Sequence, residues 1–196
     1  MNRAELKRLA REQLDGGIFK NNWLLAVVAV LIVTAITSAA SSIPLLTVFL
    51  AGPLGVGLMA VFKNLKRFGA VKFEGLFEGF TKDFGGTLLL GLLQTIFIAL
   101  WSLLFVIPGI VKAYSYSMAY YLKSEHEAWT WRQCLDESRR LTNGHKMDLF
   151  ILDLSFIGWY IIGGLCFGIG TLWVEACHNA TLINYYEELT ASRVEM

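Results

Sequence analysis

The sequence predicts an all-α, polytopic membrane helix bundle, with six transmembrane helices arranged as three hairpins and a cytoplasmic amphipathic helix before each. Three observations predict it. The chain of 196 residues is 55% hydrophobic and only 17% charged, less charge than a soluble domain carries, and its mean hydropathy is +0.52. The charge is also segregated: residues 21 to 62 hold none, residues 84 to 122 hold only Lys112, and residues 147 to 186 hold only Asp148, Asp153 and Glu175. One crossing takes roughly 20 apolar residues, so each block is long enough for two. Finally, each block has a breaker near its middle: "SSIPLL" with Pro44, "VIPGI" with Pro108 and Gly109, and the glycine-rich "GGLCFGIG" ending at Gly170. Proline lacks the amide donor and restricts the residue before it, while glycine relieves a tight reversal.

In order, the predicted spans are residues 22–42, 45–62, 86–106, 108–123, 147–164 and 170–188. Gly52, Pro53, Gly55 and Gly57 predict a kinked or partly unwound second span. Three polar segments precede the hairpins: "ELKRLAREQL", "FEGLFEGFTKDF" and "WTWRQCLDESRRL". In the second, Phe73, Leu76, Phe77, Phe80 and Phe84 recur at helical spacing, which predicts a helix lying at the membrane interface or capping the bundle.

The basic residues orient the bundle. Of 17 Lys and Arg, five precede the first block, five separate the first and second, five separate the second and third, and Arg193 follows the last. The hairpin tips carry none, so the positive-inside rule puts every basic loop and both termini in the cytoplasm. The blocks start at Asn21, Phe84 and Met147, evenly spaced, and the breakers keep that spacing. The chain therefore reads as a single integral membrane domain, 1–196, of three hairpin units at about 1–63, 71–123 and 129–189.

In that register Lys112 and Glu175 hold equivalent places in the second and third units, both inside the membrane. A lone charge there costs several kcal/mol or neutralises, so three roles are open to Lys112: pairing with Glu175, snorkelling to the headgroups, or facing a solute. Around it lies a candidate intramembrane polar cluster. Lys112, Ser115 and Tyr116 share a face of the fourth span and Glu175, His178 and Asn179 a face of the sixth, while Asp153 and Gln94 add polar groups from the fifth and third. These residues either line a substrate or proton path or fix the bundle by interhelical hydrogen bonds.

Enzyme chemistry has little support. "EACH" has the spacing of a di-iron Glu-x-x-His helix but lacks the second copy and further glutamates, so no metal, cofactor or catalytic residue is predicted. No phosphate-cradling loop, nucleophile elbow or His-Glu-x-x-His motif is present, and nothing indicates nucleic-acid binding. Cys134, Cys166 and Cys177 give no disulfide framework and are expected to be free thiols.

The strings "FVIPGIVKAYSYSMAYYL", "CLDESRRLTNGHKMDLFILDLSFIGW" and "GIGTLWVEACHNATLINYYEEL", with "MNRAELKRLAREQL" and "AGPLGVGLMAVFKNL", span essentially the whole chain. They resemble the bacterial integral membrane family known as domain of unknown function 975. The resemblance implies a multi-pass protein of the bacterial cytoplasmic (inner) membrane, distantly similar to the membrane domains attached to some glycerophosphodiester phosphodiesterases, and it carries over no catalytic or binding residues. Two function classes follow. One is a non-enzymatic binding or scaffold bundle that contacts membrane lipids, a protein partner or a second copy of itself. The other is a small-solute or lipid transporter with a polar path along the fourth and sixth spans.

Overall fold

A computed structural model describes residues 3–14, 21–42, 44–104, 106–165 and 168–194. Every regular element among them is helical: α1 Arg3–Gln13, α2 Asn21–Ala40, α3 Pro44–Phe68, a 3₁₀ turn Phe73–Phe77, α4 Glu78–Thr81, α5 Phe84–Leu104, α6 Val106–Tyr116, α7 Ala119–Glu125, α8 Trp131–Leu141, α9 Lys146–Leu165 and α10 Ile169–Val194. Among the described residues four helical stretches are long and apolar enough to cross a membrane: Asn21–Ala40, Leu46–Phe68, Phe84–Leu103 and Lys146–Leu165. The other two predicted spans take different forms. The sixth lies within α10, whose second half is polar and charged, and the fourth is divided between α6 and α7.

That division combines local bonds with distant ones. Serine side chains compete for helical carbonyls, and in "YSYSM" the Ser117 hydroxyl donates to the Tyr114 carbonyl at 3.0 Å, while Ser115 donates back to Val111 at 2.7 Å. The helix stops at Tyr116 and restarts at Ala119. Side chains from elsewhere satisfy the freed acceptors: Ser138 of α8 donates to the Ser115 carbonyl at 2.9 Å, and Tyr186 of α10 donates to that of Ser117 at 3.3 Å. A buried break is tolerable because its carbonyls are partnered in this way.

α3 stays helical through Pro53, which corrects the partial unwinding expected of the second span. Its glycines permit close approach instead. A Cβ on Gly91 of α5 would stand 2.4 Å from the Gly52 Cα, and one on Gly57 would stand 2.1 Å from the Leu76 carbonyl oxygen. The second polar segment therefore doubles back along α3 in near-backbone contact. There it folds as a 3₁₀ turn plus one α turn rather than as a single helix, which breaks the expected apolar face: Leu76 is buried and Phe77 is exposed. α3 ends at Gly69, whose φ of 67° and N–H to the Leu65 carbonyl (2.9 Å) form a left-handed cap.

The two ends of the bundle differ. At the basic end, which holds the Lys- and Arg-bearing loops, the core gathers Trp23, Val27, Phe62, Leu65, Tyr121, Leu149, Leu152, Ile183 and Tyr186. At the hairpin end apolar side chains point outward, with Leu103 85%, Leu165 81% and Ile107 76% exposed. α8 starts in a capping box between Thr130 and Gln133 and buries Cys134, Leu135, Ser138 and Leu141. α1 lies across α9 and α10, with Leu6 and Ala10 buried, Arg3 paired to Asp148 at 3.0 Å and Gln13 bonded to Asn184 at 2.9 Å.

Candidate functional site

Where α6, α9 and α10 meet, their polar side chains form one continuous hydrogen-bonded chain. Tyr114 donates to Asp153 Oδ2 at 2.7 Å. The other carboxylate oxygen of Asp153 lies 2.9 Å from His178 Nε2, and His178 Nδ1 lies 3.1 Å from the Tyr160 hydroxyl. Tyr160 donates to Glu175 Oε2 at 2.5 Å, and Glu175 Oε1 accepts from Asn179 at 3.1 Å. Both imidazole nitrogens thus face oxygens, and the Phe156 ring lies against His178 with centroids 4.8 Å apart. Helical periodicity builds this arrangement. Asp153 and Tyr160 are two turns apart on α9, while Glu175, His178 and Asn179 are one turn apart on α10.

Four of the eight sequence-predicted residues therefore meet: Asp153, Glu175, His178 and Asn179. The other four do not join the chain. The Lys112 ammonium lies over the Trp101 ring of α5, 4.8 Å from its centroid, and 6.0 Å from that of Tyr116. Ser115 is occupied at the α6 break, and Tyr116 is buried beside Phe97. Gln94 is buried with its amide oxygen unpartnered among the described residues. No ion pair joins Lys112 to Glu175 among the described residues, which corrects the pairing weighed from sequence. Equal repeat spacing matches their depth, but Lys112 turns toward α5 and Glu175 toward α9.

Sequence reasoning missed two members, Tyr114 and Tyr160. Tyrosine in a span reads as an interface anchor, yet the stripe of Asp153, Phe156 and Tyr160 along α9 was available as a signal. Of the three cysteines, Cys134 and Cys177 are free and buried, and Cys166 lies outside the described residues. Burial raises the Cys134 thiol to about 11, so it stays protonated at neutral pH. Among the described residues no three His, Cys, Asp or Glu side chains gather as a metal site.

A cleft of about 300 Å³ reaches the end of the chain, lined by Val30, Val33, Thr34, Leu58, Thr171, Leu172 and Glu175. It touches Glu175 but not Lys112. The arrangement can hold three helices in register and can exchange protons between neighbours.

Comparison with curated proteins and with solved structures finds no match. A family profile matches residues 1–115 and 103–193, and with those matches spanning nearly the whole chain, the protein belongs to the family described as protein of unknown function DUF975.

Proposed function

We propose that this chain is a non-enzymatic binding bundle of the bacterial cytoplasmic membrane, contacting lipid or, alternatively, a partner protein or a second copy of itself. α2, α3, α5, α6 with α7, α9 and α10 make six crossings as three hairpin units of one domain, with both termini cytoplasmic. One observation carries the reading: the polar groups of α6, α9 and α10 bond to one another rather than lining a route from one face to the other. Polar groups satisfied in this way lock helices together. The exposed apolar flanks of α5 and α9 are the surface that lipid would cover.

The test is native mass spectrometry of the full chain extracted with its membrane lipids, where a stoichiometric bound lipid or protein is expected. Single cysteines at Ser41 and Ile110, with native cysteines removed, should react with an impermeant reagent from outside, and at Asn64 and Arg140 only after the membrane is opened.

A second reading, transport, draws on the same chain, because its exchangeable protons run unbroken from Tyr114 to Glu175 and end at a cleft. Proteoliposomes under an imposed pH gradient separate the two. A proton flux that vanishes in Asp153→Asn would replace binding by transport.

A further inference from the structure

α1 roofs a second cleft, of about 320 Å³, lined by Lys7, Arg11, Trp23, Phe156, Trp159, Trp173, Val174 and Cys177. Its chemistry is lopsided, with two cations over a wall of aromatic rings. Lys7 donates to the Ser155 carbonyl at 3.2 Å and lies 4.0 Å from the Phe156 centroid. The Arg11 guanidinium lies 5.8 Å from the Trp159 centroid. Among the described residues neither cation has a carboxylate partner, although Arg8 on the same helix pairs with both Glu5 and Glu12. Trp23 is buried, and its indole N–H has no partner among the described residues. The roof is also held in place, because Arg3–Asp148 and Gln13–Asn184 pin α1 at its two ends. A preformed, mostly apolar cleft with a few convergent donors is the form of a ligand site.

We propose that this cleft binds one anionic phospholipid, its phosphate held by Lys7 and Arg11 and its glycerol and acyl chain lying on Trp23, Trp159 and Trp173. The shared chemistry is an oxyanion carried on an apolar body. A guanidinium fork and an ammonium suit phosphate oxygens, and indoles suit the boundary between headgroup and chain. The phospholipid is preferred to a free anion because the cleft walls are aromatic, and because one of those walls, Trp159, is itself exposed, as is Ile162 one turn further along α9. This inference rests on the lipid-binding reading above and names the ligand.

The test uses the full chain in neutral nanodiscs with Trp101, Trp129 and Trp131 replaced by Phe, so that fluorescence reports the cleft. Phosphatidylglycerol with brominated chains should quench at a mole fraction roughly thirtyfold lower than brominated phosphatidylcholine, given the attraction expected of two basic residues. Lys7→Gln with Arg11→Gln should abolish that preference, and Lys7→Arg with Arg11→Lys should keep most of it. If the double glutamine variant does not fold, Arg11→Gln alone, at an exposed position, should still lose about fivefold.

Equal quenching by the two lipids, or a preference that survives loss of both cations, overturns the site. Stronger quenching by brominated oleate reassigns it to a single-chain acid, and displacement by inorganic phosphate reassigns it to a free anion; either overturns the phospholipid. A double variant that keeps a stoichiometric lipid by native mass spectrometry sinks this site alone. A wild-type chain that carries no bound lipid or protein sinks the binding reading as well.

Discussion

At the basic end of the bundle a lysine is walled in, and at the hairpin end another rests on a ring. Lys123 of α7 is buried to 1% of its side chain and donates to Asp83 at 2.5 Å, to the Glu127 carbonyl at 2.8 Å and to the Trp129 carbonyl at 2.7 Å. Those contacts spend all three protons and tie the start of α5 to the loop before α8. Lys112 of α6 is half-buried, with two aromatic faces nearby and, among the described residues, no carboxylate partner. The more deeply buried cation is the better compensated, so burial alone does not rank the cost of a charge. What matters is how many fixed partners go unsatisfied when the charge is removed.

Breaking the walled-in lysine should have the largest effect. Lys123→Ala leaves two carbonyls and a carboxylate without their donor and opens a cavity, so the unfolding free energy should fall by about 3 kcal/mol, measured by thermal unfolding in detergent or nanodiscs. A loss below about 1 kcal/mol would show that the three bonds are redundant.

The polar chain stands between the two lysines. His178→Phe keeps the ring and removes both nitrogens from between Asp153 and Tyr160, at an expected cost of about 1 to 2 kcal/mol. Tyr114→Phe on the same background should add less than it does alone, because the first change already interrupts the chain. Simple additivity would show that the chain is a set of separate bonds.

Acid probes the basic end in a different way. The Lys123 ammonium, followed by the Gly86 amide, holds the Asp83 carboxyl below its ordinary 3.8. A carboxyl lowered on folding adds stability above its unfolded value and loses it as pH falls through the folded one. Stability should therefore decline from about pH 4 downward, by less than Lys123→Ala costs because Asp83 is 42% exposed. In Lys123→Ala this part of the acid dependence should shrink to what the Gly86 amide alone sustains. The smallest effect is expected at the hairpin end: Lys112→Gln gives up a cation–aromatic contact worth about 0.5 to 1 kcal/mol. A loss as large as that of Lys123→Ala would indicate a partner in the membrane that the ring contacts do not account for.

The pattern of the spans was readable because charge in an apolar span is expensive enough to be rare, so the charge-poor blocks marked α2, α3, α5 and α9 closely. The break at Ser117 was not readable. It depends on hydroxyls from α8 and α10 meeting two carbonyls, and hydropathy does not record direction. Asp153, Glu175, His178 and Asn179 were found because polar atoms in an apolar run need partners. Tyr114 and Tyr160 were overlooked because a tyrosine satisfies both lipid and hydrogen-bond criteria. Lys112 and Glu175 were matched by depth, whereas contact also depends on azimuth around the helix axis, which repeat spacing does not contain. The segment Phe73–Thr81 misled for a third reason: its phenylalanines are helically spaced, but Gly75 and Gly79 let the chain press against α3 too tightly for one continuous helix.

The seat of α1 has a consequence for biosynthesis. The helix leaves the ribosome long before its anchors, Asp148, Ser155 and Asn184, which lie 145 to 171 residues further along the chain. At 5 to 20 residues per second, α1 must wait roughly ten to thirty seconds for α10 to follow. During that interval its apolar stripe of Leu6, Ala10 and Leu14 has only the membrane surface or a chaperone to rest on. Docking of α1 is then among the closing steps of assembly, and a nascent chain arrested before α10 should leave its first helix open to proteases that cannot reach it in the finished protein.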